Sequence, residues 1–490
     1  MFDFSRLLQL SEAIWQKLLS FNTPWEAFWY LFSHGGWVLV LLALLWGFMK
    51  VWVYWRQGIY YGAQKYVLLA IDVPRENEQG PKAVENIFSH VYGAYKGPNL
   101  IEKYWDGFLC PKFSFELVSH GGYLQFLIHT PVQFRDLVES SIYAQYPDAE
   151  ITETEDYAAP APSTFKNTEF DMWGCEFVLY NDDWYPIRTY PAFEYGLTQE
   201  FKDPMAATLE LMGKIGPEEN MWIQLVVTPI PGSWTEEGIK LVKKLIGAKV
   251  ADKKPGFLYS TTTGVAKGVL ETATYTLNPP KEEQKKDDNN PRSEMLFLSP
   301  GERGAVEAIE AKISKNAFDT KFRFIYWGRK PPFSKARGVN GMLGAIAQVN
   351  SLDLNGFKPH PKTKSSVDYF FVKSRQHARR QRLMASYKSR SNWRGWGHSI
   401  LNIEELATLW HFPMMDIRTP MLKKTQSKRM ESPFALPVEN MPAQAQASQD
   451  AGQPQTLEEP TPEEPAPVPA AETPPTQTQK AKPPPNLPIG

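Results

Sequence analysis

Residues 27–49 contain no Asp, Glu, Lys or Arg, and Trp37–Met49 at the centre of that gap is apolar throughout. A stretch of this kind needs an apolar environment. Roughly 20 apolar residues in a helix span the ~30 Å hydrocarbon core of a bilayer, so His34–Trp55 predicts a transmembrane helix over 36–57, with Lys50 near the far interface. Trp37 at one end and Trp52, Tyr54 and Trp55 at the other suit interfacial positions. Lys50, Arg56 and Lys65 follow the span, whereas Arg6 and Lys17 precede it. That bias predicts a single-pass protein of the cytoplasmic (inner) membrane with its C-terminal bulk in the cytoplasm. Residues 1–35 form an N-terminal segment in which Leu7, Leu8, Leu10, Ile14, Trp15, Leu18 and Leu19 recur at helical spacing. An amphipathic surface helix over 4–21 is expected, and no cleavage site of the signal-peptide kind follows the apolar run.

The remaining residues exceed one small domain. With 42% hydrophobic and 13% aromatic residues the chain can build cores, and 53 Lys and Arg nearly balance 54 Asp and Glu. Cys110 and Cys175 are the two cysteines and form no C-x-x-C pattern, which predicts neither a disulfide framework nor a thiolate metal site. From residue 66 the patterning reads strand (Tyr66–Val73), helix (Pro81–Tyr95), strands (Lys112–Ser119 and Tyr123–His129), helix (Pro131–Tyr146) and strand (Ala149–Thr154). This βαββαβ order predicts a ferredoxin-like domain over 66–157. His120-Gly121-Gly122 reads as its hairpin turn. An oxyanion loop is the other use of such a sequence, but no Gly-x-Ser-x-Gly elbow accompanies it.

A second α+β domain is expected over 165–357. Strands Glu169–Leu179, Met221–Thr228 and Lys321–Trp327 alternate with helices at Pro204–Gly213, Thr235–Ile246 and Gly338–Asn350, and a polar loop lies near 249–291. Ser299-Pro-Gly-Glu302 has the form of a capping box. Residues 358–430 then form a basic, helical segment: eleven Lys and Arg from Lys358 to Arg394 are opposed only by Asp368. Lys373, Arg375, Arg379, Arg380, Arg382, Arg390 and Arg394 are the candidate phosphate- or partner-contacting residues, and the interleaved Tyr369, Phe370, Phe371, Tyr387, Trp393 and Trp396 would suit base stacking. The same pattern also describes a solvated helix face with aromatics in a core. In 431–490, 15 of 60 residues are Pro and acids outnumber bases by 8 to 2, the composition of a disordered, partly polyproline-like tail.

Motifs for catalysis do not emerge. Thr263-Gly-Val-Ala-Lys-Gly268 lacks the spacing and the Lys-Ser/Thr pair of a phosphate loop, and Gly338, Gly341 and Gly344 do not make a dinucleotide turn. There is no His-Glu-x-x-His, and Glu404, Glu405 and His411 read as a helix and its turn. No enzyme activity, cofactor or metal is expected.

One set of motifs carries a resemblance. Leu401-Asn-Ile-Glu-Glu-Leu-Ala-Thr-Leu-Trp-His-Phe-Pro413, Ile417-Arg-Thr-Pro420 and Ser432-Pro-Phe-Ala-Leu-Pro437 form the C-terminal part. Ile71–Lys82, Phe134–Glu150, Leu298–Arg303 and Ile309–Lys315 add further patches upstream. Together these resemble the non-motor region of membrane-anchored type IV secretion and conjugative-transfer ATPases of the HerA-like superfamily. In those proteins a RecA-like motor follows the segment matching Leu401–Pro437; here the Pro-rich sequence follows instead. The resemblance therefore implies a non-catalytic structural or adaptor component of a type IV secretion-like or DNA-transfer machine, docking a separate motor ATPase or other secretion-complex subunits. Membrane lipid and further copies of the chain are additional expected partners. The alternative is a membrane-tethered nucleic-acid-binding protein using residues 358–396.

Overall fold

A computed structural model describes residues 23–74, 77–166, 169–193, 202–247, 298–330 and 333–414. The expected helix at 4–21, the polar loop at 249–291, residues 415–430 and the tail at 431–490 lie outside them.

The chain enters through α1 (Pro24–Leu31), which is capped by Thr23, and α2 (Trp37–Ala63). Although α2 takes in the expected 36–57 span, no helix among the described residues is long and apolar enough to cross a membrane. Lys50 ends the apolar run at Met49, and Trp37–Met49 covers only about 20 Å as helix against the ~30 Å required. Beyond Lys50 the helix is used against protein. The Trp52 indole N–H donates to the Tyr104 carbonyl at 2.9 Å and its ring packs on Trp105, while Arg56 donates to the Trp105 carbonyl. The transmembrane helix, and with it the single-pass inner-membrane placement, is corrected accordingly. Leu41, Leu44, Trp46 and Phe48, in the first half of α2, are exposed.

The α+β reading holds, built on one large antiparallel sheet. After β1 (Tyr66–Asp72) come α3 (Pro81–Tyr92), β2 (Phe113–His120), β3 (Tyr123–Pro131), α4 (Arg135–Tyr143) and β4 (Glu150–Glu153). These strands lie in the order β4-β1-β3-β2. The hairpin between β2 and β3 turns at Gly121 and Gly122, with φ of 59° and 91°. A Cβ on Gly122 would stand 2.8 Å from the Gly213 carbonyl, so the turn needs glycine for both conformation and space.

The second set runs β5 (Phe170–Leu179), α5 (Ala206–Gly213), β6 (Glu219–Pro229), α6 (Thr235–Leu245), α7 (Pro300–Ile313), β7 (Ala317–Arg329), α8 (Gly341–Ala347) and β8 (Phe357–Pro359). Its strands lie in the order β6-β7-β5-β8. This is the connectivity of the first set repeated, with α6 and α7 inserted between the second and third strands. The two sets do not stand apart as the sequence suggests. Their second strands pair, Phe113 opposite Val227 through His120 opposite Asn220, and make a single nine-stranded sheet. After α9 (Val372–Lys388), β9 (Ser399–Asn402) joins β7 at Ala317–Thr320, and α10 (Ile403–Leu409) completes the described elements.

Alternation along the strands gives the sheet two distinct faces. Phe113, Phe115, Leu117, Ile223, Leu225, Phe322, Phe324, Trp173 and Phe177 point to the face that contributes to the main core. Buried residues of α3, α4, α5, α8 and α10 join them there. Trp410 follows α10, has no exposed surface, and sits edge-on to Phe115 and Phe126 at 5.0 and 5.5 Å. Its indole donates to the Glu116 carbonyl. Asn402 and Glu405 cap α10 reciprocally, and Glu405 also pairs with the buried Lys312 of α7 at 3.0 Å. The capping box at Ser299 and Glu302 forms as its sequence predicts. Trp410→Ala leaves a large hole against Phe115 and Phe126 and is expected to cost about 3–5 kcal/mol, measurable by urea unfolding of the full chain.

Candidate functional site

The second face of the sheet holds the most concentrated chemistry among the described residues. Glu116, Gln224, Arg323 and Glu176 stand directly opposite one another on β2, β6, β7 and β5. Gln224 donates to Glu116 Oε1 at 2.9 Å. Arg323 donates to Gln224 Oε1 and to Glu176 Oε1, both at 3.0 Å. All four side chains are buried. Next to this polar row, Val118, Trp222, Ile325 and Met172 form an apolar patch with Leu383, Met384 and Tyr387 of α9. Gly174 lets α9 approach, since a Cβ there would meet Leu383 at 2.7 Å.

The segment that follows α9 lies over the polar row. Arg390, in a left-handed conformation with φ of 46°, inserts between two carboxylates. Its guanidinium donates to Glu116 at 2.8 and 3.1 Å and to both oxygens of Asp156 at 2.9 Å. Glu116 also accepts from Ser114 and from Tyr157, whose hydroxyl is in turn 2.8 Å from that of Tyr387. Further along, Arg323 and Lys321 donate to the Arg394 carbonyl, and the Trp396 amide donates to Glu176. Gly395, at φ 94°, makes this close approach feasible: a Cβ would fall 2.1 Å from Glu176 Oε1.

Burial and charge set the proton affinities here. Burial by itself raises the Glu116 and Asp156 carboxyls, but Arg390 outweighs it and holds both below the usual range. Burial pushes Lys112 down to about 7, with Arg323 and Arg390 adding repulsion, and its Nζ donates to the Arg390 carbonyl at 2.6 Å. Lys321 is lowered by burial to about 8. His129, stacked flat on Tyr66 at 4.8 Å, is lowered to about 3, mainly by burial and then by Arg390.

The structure divides the seven candidate contact residues. Arg390 is consumed by Glu116 and Asp156, and Arg380 by Asp171 at 2.7 Å. Arg379 donates to the carbonyls of Pro361, Lys364 and Ser366, each at 3.0 Å. Lys373, Arg375, Arg382 and Arg394 are exposed. They do not converge with the buried row into one cleft. The row itself escaped the reading of the sequence, although a signal exists: Glu116, Glu176 and Arg323 are each charged residues with an apolar neighbour on either side in the strand.

Among the described residues no group of three or more His, Cys, Asp or Glu is placed to hold a metal ion. A cleft of about 490 Å³ brings Lys335 and Lys364 beside Trp173, Val339 and Leu343, with no carboxylate, histidine or cysteine among its described lining residues. Cys175 is buried, and burial pushes its thiol well above the ordinary value, so it is a core residue and not a nucleophile.

Removing one member of a buried pair strands its partner. Arg390→Ala is expected to cost about 3–5 kcal/mol in chemical denaturation, and Arg390→Met combined with Glu116→Leu to recover much of that loss. The pH profile follows from the shifts. Unfolded, His129 takes a proton near its ordinary value of 6.5, whereas in the fold it does so only near 3. Stability is thus retained above that ordinary value and declines as the pH falls below it, and His129→Phe flattens the decline between pH 6.5 and 4.5. Lys112 releases its proton in the fold near 7, before the unfolded chain does, so stability rises as the pH is raised from about 7 to 9, and Lys112→Met flattens that rise. Thermal melts across this pH range check both.

No curated protein matches the chain. A family model described as a domain of unknown function, DUF8128, matches residues 71–425, a span that takes in the sheet from the end of β1 onward, the buried polar row and the Arg390 segment. The chain therefore belongs to the DUF8128 family.

Proposed function

We propose that this chain is a non-catalytic scaffold: an adaptor component of a secretion-like or DNA-transfer assembly of the kind its motifs resemble, docking a separate ATPase. The observation that carries the reading is where the charge goes. Strongly shifted groups mark active sites when they face a cleft. Here Glu116 and Arg323 lie under a covering segment to which Arg390 belongs, each of the three bonded to a partner distant in sequence. Their chemistry holds the sheet and its cover together, and the outer surface is left to meet other molecules.

The nucleic-acid alternative retains Lys373, Arg375, Arg382 and Arg394 as exposed cations. Four phosphate contacts would give an affinity falling with salt at a log–log slope of about 3–4. The scaffold reading expects the full chain, purified after gentle crosslinking in cells that produce it, to carry a RecA-like ATPase. It also expects no salt-dependent retention on DNA that the fourfold Gln variant of those residues abolishes. Recovery of DNA without an ATPase, with that salt slope, overturns it.

A further inference from the structure

Just before α9, three consecutive aromatic side chains stand almost wholly in solvent. Tyr369, Phe370 and Phe371 are 83%, 82% and 84% exposed. Tyr369 and Phe371 have φ of 64° and 53°, a left-handed conformation that bulky residues avoid. Backbone in such a state persists only where its surroundings enforce it. Here the base of the turn is pinned: Val367 is buried, Arg379 donates to the Pro361, Lys364 and Ser366 carbonyls, and Arg375 reaches back to the carbonyls of Asp368 and Phe370. Lys373 and Arg375 flank the rings, and Asp368 is the sole acid from Lys358 to Arg394.

From this geometry we infer that Tyr369, Phe370 and Phe371 form a rigid wedge that inserts into an apolar cleft, rimmed by carboxylates, on a partner protein. The inference rests on the scaffold reading and names one of its docking surfaces. Three aromatic side chains bury roughly 450–750 Å² when covered. That nearly fills the ~800 Å² one partner contributes to a standard interface, and Tyr and Arg are residue types that dominate binding energy. The two flanking cations set the charge of the rim. An anionic bilayer fits less well, because lipid-binding basic clusters hold about 4–8 Lys and Arg. A nucleic-acid strand fits less well too, since it is tracked by a continuous basic groove, and Arg379 and Arg380 on this helix are already bonded to protein.

The test places the photocrosslinker p-benzoylphenylalanine at Phe370 of the full chain, and separately at the exposed Trp393, in cells that produce it. Adducts are identified by mass spectrometry. The expected result is a Phe370 adduct to one protein, mapped to a cleft containing carboxylates. With that protein purified, Phe370→Ser/Phe371→Ser is expected to weaken binding about thirtyfold or more, and Lys373→Glu to weaken it as well, with unchanged thermal melts of the chain. A Phe370 adduct to phospholipid, to nucleic acid or to a second copy of this chain overturns the inference, as does no adduct. If Trp393 captures the ATPase while Phe370 captures nothing, the wedge fails and the scaffold stands; if neither position captures a protein, both fail.

Discussion

Glu116, Gln224, Arg323 and Glu176 form one hydrogen-bonded row across four adjacent strands, and the rest of the molecule is arranged to satisfy it. A carboxylate or guanidinium within a sheet covered on both faces is strongly unfavourable unless every donor and acceptor is met. The row alone leaves Glu116 with capacity to spare, and Arg390, Ser114 and Tyr157 fill it. Nη2 of Arg323 donates to the Ser391 and Arg394 carbonyls of the covering segment. The strained backbone at Arg390 and the glycine at 395 follow from the same demand, because the cover must come within hydrogen-bonding distance of the sheet.

The row also crosses the seam between two similar halves. Each half is a βαββαβ unit, and their second strands meet at the centre of the sheet. Paired strands alone fix register only by pattern, and a one-residue slip reverses the faces. Placing Glu116 of one half against Gln224 of the other makes a slipped register costly, since it would separate buried partners. On the opposite face Trp410 and the capped α10 bind Phe115 and Phe126 to elements far along the chain. The fold is thus closed on both faces by its last described segments.

Much of the first half is legible in the chain. Strand and helix periods at 66–154, the His-Gly-Gly hairpin and the Ser299 capping box all appear where the residues place them, because each is decided within a few residues by alternation, by positive φ or by a local cap. The basic segment shows the limit of that reading. Eleven cations against one acid look like a surface for phosphate, yet Arg379, Arg380 and Arg390 find their partners at Lys364, Asp171 and Glu116. Asp171 and Glu116, which pair with Arg380 and Arg390, lie within strands far from the basic segment in sequence. The charge-free stretch before Lys50 likewise suggests a bilayer span, while the second half of its helix packs on Tyr104 and Trp105.

By itself, then, the sequence determines the α+β class, the order of elements in the first half and its hairpin turn, since local periodicity and turn chemistry carry that information. Tertiary structure decides that the two halves share one sheet, that three of the seven flagged cations are bonded to other parts of the chain, and that Tyr369, Phe370 and Phe371 stand outside any core. Those outcomes depend on pairings that local pattern does not encode, from Phe113 opposite Val227 to Arg390 with Glu116. Lys, Arg and aromatic side chains suit a buried network and an exposed surface alike, and only the burial of their neighbours separates the two.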